Sequence, residues 1–398
     1  MAGIRKIVKQ RTHEGTSRLT TGNTSAFARS KSIDQQLEDD RERRAREIQL
    51  LILGGAGTGK STFIKQMRLH RGDGYPNAER AKLAPQIYEN VMDGLNTVLD
   101  NMAVQNLKFN NPENANLAKD LQAKFPSWHH YYIASTDNHL SSAIPASPAH
   151  KDSDPNPPPD YSQLVKHMEQ LQKVWNDPGV QQCYQQKHLF AKPMAHAEQF
   201  FLEHLQRLSD AQYCPTIEDV LHIRKPTVGV HEHQFFINGL AFRVIDVAGQ
   251  KNQRKKWIHF FDNVTAVTFF SSLSEYAECL EEDDTLNSLQ DSLNTFRDVS
   301  HNSYLSRTDF VLILNKKDLF EERIKQVSLT HCFPDYKGAN TPAECIAFIK
   351  EEFLHRKPEN KRVYAHVSCA IDITMMKQLI ADVMQIIIEI NIRKAAPL

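Results

Sequence analysis

Residues 51–62 read LILGGAGTGKST and indicate the architecture more strongly than any other part of the chain. They contain the frame G-x-x-x-x-G-K-S, whose fixed positions are Gly54, Gly59, Lys60 and Ser61. The apolar run EIQLLILGG enters this frame and predicts a strand buried on both faces, and KSTFIKQMRLH leaves it as a predicted helix. A strand, a glycine-rich loop and a helix in this order predict a phosphate cradle, where backbone N–H groups and the helix N-terminus face anionic oxygens.

Two side chains of this cradle have specific expected roles. We expect Lys60 to reach the β- and γ-phosphates of a nucleotide and the Ser61 hydroxyl to bind Mg²⁺. The alternative is a chance glycine turn, against which the flanking strand and helix argue. The residues expected to contact the nucleotide here are Gly54, Gly55, Ala56, Gly57, Thr58, Gly59, Lys60, Ser61 and Thr62.

The rest of the chain predicts an α/β fold. HEHQFFI and LAFRVIDVAG are joined by Asn238-Gly239, a strong short signal for a hairpin. VTAVTFFSSL, DFVLILNKK and VYAHVSC predict three more buried strands with helical stretches between them, and residues 371–394 predict a long closing helix. This alternation predicts a mostly parallel six-stranded sheet wrapped by helices, with one antiparallel edge strand.

A long helical segment interrupts this pattern and predicts an inserted all-helical domain. Its segment HAEQFFLEHLQRL is an example, since Phe201, Leu205 and Leu208 share one helix face. Part of the insert is rich in proline and predicts a loop or disordered segment. The expected order is a basic disordered tail (1–28), an exposed N-terminal helix (29–47), the nucleotide-binding domain in two parts (48–74 and 215–398), and between them the helical insert (75–214) with its proline-rich loop (143–160).

Composition and charge reduce the number of protein classes to which the chain could belong. The chain of 398 residues has 48 basic and 48 acidic side chains, a balance that argues against a nucleic-acid binder. Its six cysteines show no C-x-x-C pairing, which predicts reduced thiols in a cytosolic protein. No apolar run approaches the roughly 20 residues that a membrane span needs. His231 and His233 would share one strand face, although metal binding there would need further ligands.

The segment DVAGQ follows the second strand of the predicted hairpin. Open α/β sheets bind ligands at the carboxyl ends of their strands, so this position is informative. Asp246 can hold a metal ion through water, the backbone N–H of Gly249 can approach a γ-phosphate, and Gln250 can orient an attacking water. Taken alone, the segment could also be an ordinary strand-to-loop turn.

The motif NKKD follows a later strand and predicts which base is bound. Asn315 supplies an amide for the base edge, the Lys316 stem packs on the ring, and Asp318 accepts from the paired N–H groups of guanine. Adenine has no such donor pair, so the motif predicts GTP and argues against an ATP-using enzyme. After the last strand, Cys369 and Ala370 complete the base site, where the Ala370 N–H is expected to bond the guanine oxygen.

These four motifs, in this order, resemble the alpha subunits of heterotrimeric G proteins, from about residue 29 to the C-terminus. The resemblance implies a Ras-like P-loop GTPase domain with an inserted all-helical domain, which small Ras-like GTPases lack. It also implies a guanine-nucleotide-dependent molecular switch that binds GTP or GDP with Mg²⁺, hydrolyses GTP and couples a receptor to an effector. The alternative from another class is a divergent GTP-binding scaffold with little or no turnover.

Two further segments take their roles from the resemblance. DVLHIRKPTVGV resembles the first switch, which makes Arg224 the cis arginine finger, Thr227 the second Mg²⁺ ligand and Leu221 a nucleotide contact. DVAGQKNQRKKWIHFFD resembles the second switch, which makes Gln250 the residue that positions water and Trp257 a reporter of the switch state. The implied catalytic residues are Arg224 and Gln250, and the implied metal ligands are Ser61, Thr227 and, through water, Asp246.

The resemblance also implies partners and a location. They are a beta-gamma dimer bound through the N-terminal helix and second switch, a G-protein-coupled receptor bound through the C-terminal helix, an effector bound through the second switch, and a regulator of G-protein signalling. The implied location is cytoplasmic, peripheral at the inner face of the plasma membrane. Position 2 is not glycine and the first cysteine is Cys183, so N-terminal myristoylation or palmitoylation is not expected. Residues 1–31 carry seven basic side chains and could touch anionic lipid or form a solvated arm.

Three departures from the family pattern predict altered kinetics. Ala56 stands where a glycine near the γ-phosphate is expected, and its methyl group predicts slower hydrolysis than is typical. Gly57 replaces a glutamate that pairs with the switch arginine, and His196-Ala197 stand where the family usually has Asp-Ser facing the nucleotide cleft. Loss of these polar contacts predicts fast spontaneous nucleotide exchange.

Overall fold

The strands of the protein form one large sheet and one small ribbon. The computed structural model describes residues 35, 47–126, 160–187, 190, 194–210, 212–280 and 282–395. Within these ranges the strands are β1 (Ile48–Gly54), β2 (Val230–Ile237), β3 (Leu240–Val247), β4 (Ala266–Ser272), β5 (Cys279–Leu280), β6 (Asp283–Asn287), β7 (Asp309–Asn315) and β8 (Val363–Val367).

The large sheet has the strand order β2-β3-β1-β4-β7-β8. β2 and β3 are antiparallel, and their turn residues Asn238 (φ 52°) and Gly239 (φ 78°) are both left-handed, as a tight hairpin requires. The other neighbouring strands of this sheet are parallel. The predicted fold class, a mostly parallel six-stranded sheet with one antiparallel edge strand, is therefore confirmed.

Thirteen α-helices lie in the described residues. They are α1 (Lys60–Arg71), α2 (Asn77–Ala81), α3 (Ala84–Val104), α4 (Pro112–Lys124), α5 (Met168–Trp175), α6 (Pro178–Gln185), α7 (His196–Glu203), α8 (Leu205–Leu208), α9 (Ile217–His222), α10 (Ser288–Ser300), α11 (Lys317–Arg323), α12 (Pro342–His355) and α13 (Ile373–Ala395). Among the described residues, no helix is both long and apolar enough to cross a membrane.

Helices cover both faces of the large sheet, which explains why its strands are nearly continuous apolar runs. Leu50 and Ile52 of β1 belong to a core shared with α1 and α13, whereas Leu51 and Leu53 belong to a core shared with α10 and α12. The period of two along β1 therefore supplies apolar side chains to both layers. This packing fixes the carboxyl ends of the strands, where the nucleotide motifs lie.

The helices from α3 to α8 have an apolar core of their own. The predicted face of Phe201, Leu205 and Leu208 is buried in that core. The helix itself is interrupted, since α7 ends at Glu203 and α8 begins at Leu205. The continuous apolar pattern gave no sign of this break, because a short irregularity keeps the same face buried.

Some predicted features lie outside the described residues. They include the basic tail, all but Gln35 (helical) and Glu47 of the N-terminal helix, all but Asp160 of the proline-rich loop, and residues 396–398. The predicted domain boundaries stay a prediction. The ribbon of β5 and β6 was not predicted from the sequence, because β5 has only two residues and β6 begins with two aspartates.

Candidate functional site

The phosphate loop is held by two glycines that no other residue could replace without strain. Gly54 (φ 137°) ends β1, and a Cβ there would lie 2.2 Å from the carbonyl oxygen of Phe270. Gly59 (φ 104°) caps the N-terminus of α1, and a Cβ there would lie 2.1 Å from the Nδ2 of Asn315. Both positions combine a left-handed backbone with a close neighbour, so the glycines of the motif are required by geometry.

Lys60 is a buried cation inside this loop. Its Nζ donates to the carbonyl oxygens of Gly54 (2.9 Å) and Gly55 (2.6 Å). Burial lowers the pKa of Lys60 to about 8, while the nearby carboxylate of Asp246 acts in the opposite direction. A buried ammonium is costly unless anionic oxygens compensate it, and nucleotide phosphates would supply them.

Oxygen donors that suit Mg²⁺ come together beside the loop. The Oγ of Ser61 lies 2.9 Å from the Oγ1 of Thr227, which brings the phosphate loop and the predicted first switch into contact. Asp246, at the end of β3, is 3% exposed, and its Oδ1 has no hydrogen-bond partner among the described residues. Burial raises the pKa of Asp246, and a divalent cation would offset that cost. This donor set of hydroxyl and carboxylate oxygens fits Mg²⁺.

Asn315 links the phosphate loop to the base motifs. Its Nδ2 donates to the carbonyl oxygen of Thr58 (2.9 Å), across 257 residues of chain. Its Oδ1 accepts from the Ser368 hydroxyl (3.0 Å) and from the backbone N–H of Ala370 (2.9 Å). The structure therefore gives Asn315 a bridging role, whereas the sequence suggested only a contact to the base edge.

The predicted guanine acceptor is positioned at the start of α11. Lys316 (φ 60°) caps this helix in a left-handed conformation, and its Nζ lies 3.6 Å from the Oε1 of Glu275. The Oδ1 of Asp318 is buried without a hydrogen-bond partner among the described residues. Next to it, burial and the Asp318 carboxylate raise the pKa of the Cys369 thiol to about 12, so this thiol is not a reactive nucleophile. A buried acceptor without a partner fits the N–H donors of guanine.

The predicted second switch packs directly on the phosphate loop. A Cβ at Gly249 would lie 2.5 Å from the carbonyl oxygens of Gly54 and Gly55, so only glycine permits this approach. Arg254 fixes the arrangement, since its Nε donates to the carbonyl oxygen of Gly249 (3.0 Å) and its Nη1 lies 2.7 Å from the Oδ2 of Asp291. Both side chains of this ion pair are largely buried.

Trp257 belongs to the same segment, a 3-10 helix (Lys251–Phe260) that begins directly after Gln250. The indole is 3% exposed, and its Nε1 donates to the carbonyl oxygen of Ala248 (2.9 Å). A movement of the second switch would therefore change the surroundings of this ring.

The predicted arginine finger is held by its backbone. The N–H of Arg224 donates to the Oδ1 of Asn90 (2.9 Å), and the Nδ2 of Asn90 donates to the Arg224 carbonyl oxygen (2.8 Å). Lys65 of α1 donates to the carbonyl oxygens of Val220 (2.9 Å) and Ile223 (2.8 Å) on the preceding turn. Burial lowers the pKa of Lys65 to about 8. These contacts tie the predicted first switch to both α1 and α3, a helix of the predicted insert.

An aromatic stack surrounds His196, one of the positions at which the resemblance predicts a departure from the family pattern. His196 begins α7, and its ring centroid lies 5.4 Å from that of His222 at the end of α9. The His222 ring stacks on Phe200, with centroids 3.7 Å apart and an interplanar angle of 5°. The negative charge of Asp318, in the predicted guanine motif, acts electrostatically on His196. The sequence revealed the loss of a polar pair here but not the stack.

The remaining predicted site residues occupy different environments. Leu221 is buried in α9, while Ala56 and Gly57 are exposed at the phosphate loop. Neither Asn90 nor Lys65 was predicted, although Asn90, a polar residue on the buried face of an amphipathic helix, was a usable signal. Among the described residues, no group of three or more His, Cys, Asp or Glu side chains could hold a metal ion, including around His231.

Comparison with known proteins identifies the family. The family described as G-protein alpha subunit matches residues 27–387. Guanine nucleotide-binding protein alpha-7 subunits of Caenorhabditis briggsae and Caenorhabditis elegans are each 34% identical, over 366 and 365 residues, which is 92% of this chain and 94% of each relative. The G(o) subunit alpha of Caenorhabditis elegans is 33% identical over 373 residues, 93% of this chain and 96% of that relative. The chain therefore belongs to the G-protein alpha subunits, a family of guanine-nucleotide-binding signalling switches.

Proposed function

We propose that this alpha subunit hydrolyses GTP through Arg224 and Gln250, with Mg²⁺ bound by Ser61, Thr227 and, through water, Asp246. The observation that carries the proposal is the contact of Gly249 with the backbone of Gly54 and Gly55. This contact supports the proposal because the predicted second switch, and with it the adjacent Gln250, lies beside the predicted phosphate loop. Members of the family are GTPases, and the contact supports the same activity here.

The chain's own residues supply most of the chemistry. Lys60 and Arg224 neutralise charge that develops on the transferred phosphoryl group, and Gln250 orients the attacking water. When bound, Mg²⁺ would neutralise further phosphate charge. Asp318 holds the guanine, and Asn315 keeps the base motif in register with the phosphate loop. Hydrolysis then ends the signalling state.

The partners of this family are, in general, a beta-gamma dimer, receptors and effectors. For this chain we propose that the beta-gamma dimer binds residues 29–47, which are predicted to be helical, and the second switch. We propose that the receptor binds the end of α13, and that an effector and a regulator of G-protein signalling bind the second switch. The same proposal puts the protein at the inner face of the plasma membrane, as a peripheral component.

The test follows Trp257 fluorescence after addition of Mg-GTP to the full chain. A rise followed by a decay is expected, because GTP repositions the second switch and hydrolysis returns it. The Trp257→Phe variant provides the control, since it should lose both phases while phosphate release continues. A rise that persists without phosphate release would instead support the GTP-binding scaffold.

Ala56→Gly is expected to accelerate single-turnover GTP hydrolysis by about tenfold. The physical reason is that even a small misplacement of the attacking water lowers the reaction rate by a factor of this order. The methyl group is exposed, so its removal sacrifices no packing. Ala56→Val extends the series and should be slower than the natural protein. Equal rates in all three proteins would show that this position does not limit hydrolysis.

Nucleotide release is expected to accelerate severalfold as the pH falls from about 7.5 to 5.5. Burial lowers the pKa of both His196 and His222 below their ordinary value near 6.5. Closure of the cleft therefore disfavours protonation of both rings. Their contribution to the stability of the closed state is fully present above pH 6.5 and is lost as the pH falls toward their lowered pKa values. The measurement is the release rate of a fluorescent GDP analogue.

The charges facing these histidines do not cancel that effect. Asp318 and Glu203 favour a charged His196 while Lys316 and Lys187 oppose it, and burial dominates. Around His222, the Glu218 carbonyl oxygen accepts a hydrogen bond at Nδ1 (2.9 Å), and Asp219 also favours charge. The His196→Gln/His222→Gln variant should lose the pH dependence, whereas the exposed His301→Gln should keep it. A full pH response in the double variant would refute this origin.

A further inference from the structure

A cavity of about 210 Å³ opens at the edge of the sheet where the parallel strands begin. Its walls are the segment entering β7, the segment entering β8 and the last turns of α13. The nucleotide motifs follow the opposite ends of the same strands, so a ligand here would not compete with the nucleotide. None of the proposed GTPase chemistry uses this cavity.

The lining is strongly basic. It contains Arg307, Lys361, Arg362, Arg393 and Lys394, with Asp309 as the one carboxylate among the described lining residues. Asp309 is already engaged, since its Oδ2 lies 3.2 Å from Arg393. The cavity therefore has a surplus of positive charge.

The two lysines are fixed by backbone carbonyls and not by acids. The buried Nζ of Lys361 donates to three carbonyl oxygens, those of Leu305, Ser306 (3.1 Å) and Thr308 (3.2 Å), so it acts on an anion as a fixed positive charge without a spare N–H. The Nζ of Lys394 donates to the carbonyl oxygen of Thr265 (2.9 Å). Burial lowers the pKa of Lys361, which means that burying its positive charge costs free energy. An anion in the cavity would offset this cost. Preordered cations of this kind lose little freedom when they bind an anion.

Two exposed apolar side chains flank the basic lining along the chain. Tyr304, just before the segment that enters β7, is 63% exposed, and Ile392, next to Arg393, is 62% exposed. A soluble phosphate would satisfy the cations but leave these side chains in water. A membrane surface offers anionic headgroups and an apolar boundary together, and amphipathic aromatic and aliphatic groups lie at that boundary.

We propose that this cavity binds the phosphorylated headgroup of a membrane lipid. The exposed guanidiniums of Arg307 and Arg362 are free to approach phosphate oxygens at the rim, where arginine pairs with phosphate in a bidentate manner. Such binding would turn the strand-start edge toward the membrane and leave the nucleotide edge facing away from it. The site is distinct from the basic N-terminal residues, but it borders the end of α13, where the receptor is proposed to bind, so lipid and receptor would meet at this surface.

The test uses the full chain loaded with GDP and two double variants that each remove two positive charges. Arg307→Gln/Arg362→Gln changes the rim, and Lys119→Gln/Lys173→Gln, on exposed faces of α4 and α5, is the matched control. Binding is measured by co-sedimentation with phosphatidylcholine vesicles that contain either phosphatidylinositol bisphosphate or phosphatidylserine at matched total charge. A Trp257 fluorescence response to GTP equal to that of the natural protein verifies that the variants fold.

We expect preferential binding to the phosphoinositide vesicles, and a loss of about 30-fold in the rim variant, because each basic residue near an anionic surface contributes about fivefold. The control variant should retain binding. Equal losses of vesicle binding in both variants, or equal binding to both vesicle types, would overturn the proposal, because overall charge alone would then explain the binding. In a further arm, inorganic phosphate and soluble inositol trisphosphate are titrated. Binding of these that depends on Arg307, without vesicle binding, would overturn the membrane source.

Discussion

Arg224→Ala is expected to lower the single-turnover rate of GTP hydrolysis by about 10³- to 10⁵-fold, a magnitude taken over from alpha subunits as a class and not from this structure. The guanidinium acts on charge that develops as the phosphoryl group is transferred. Its removal should therefore lower the rate far more than the affinity for GTP. The measurement is phosphate release from a preformed complex, with affinity determined in parallel.

The geometry around Arg224 makes this result specific. The position is held through its backbone by Asn90, at 2.9 and 2.8 Å, so truncating the side chain leaves the first switch anchored. Lys225→Ala removes a neighbouring exposed cation and should leave the rate within about twofold. Arg224→Lys keeps the charge but loses the planar fork, so an intermediate rate is expected.

A comparable loss in Lys225→Ala would show that general positive charge, and not Arg224, accelerates the reaction. A normal rate in Arg224→Ala would remove the arginine from the mechanism altogether. A fall in GTP affinity as large as the fall in rate would assign Arg224 to ground-state binding.

Local sequence signals were sufficient to predict the large sheet. β1 and β7 are short apolar runs closed by glycine or asparagine, and Asn238-Gly239 could form little except a tight turn. The phosphate loop is also recognisable from local sequence, because Gly54 (φ 137°) and Gly59 (φ 104°) adopt a left-handed backbone within one strand, loop and helix, although the atoms that exclude a Cβ there belong to the distant Phe270 and Asn315. Such features depend on neighbouring residues and are therefore visible in a linear pattern.

Long-range features were not predictable in the same way. Asn315 bonds to Thr58 across 257 residues, and Asn90 bonds to Arg224 across 134, so neither partner could be read from local spacing. The interruption at His204 was hidden because both sides of it keep one apolar face buried. Tertiary packing determines which partners the buried polar groups bond to, and a single sequence gives little information about tertiary packing.

Asp318→Ala is expected to lower GTP affinity by about 10²- to 10⁴-fold and to abolish discrimination against ATP. Two hydrogen bonds from guanine to a carboxylate are worth about 3 to 6 kcal/mol together. Asp318 is suited to this role because its Oδ1 is buried without a hydrogen-bond partner among the described residues. Competition between GTP and ATP for a fluorescent GDP analogue measures both effects.

The same orphan acceptor gives Asp318→Ala a second expected outcome that separates base recognition from a structural role. Asp318 is half-buried and its Oδ1 accepts no hydrogen bond from the described residues, so its removal should leave the melting temperature of the nucleotide-free protein nearly unchanged. Glu321→Ala is the matched control, since Glu321 lies on the same helix, is partly exposed and pairs with Lys317 at 3.4 Å. It should change neither affinity nor base preference. If instead Asp318→Ala melts several degrees lower and retains its preference for GTP, the carboxylate stabilises the fold, and guanine must be recognised by other groups.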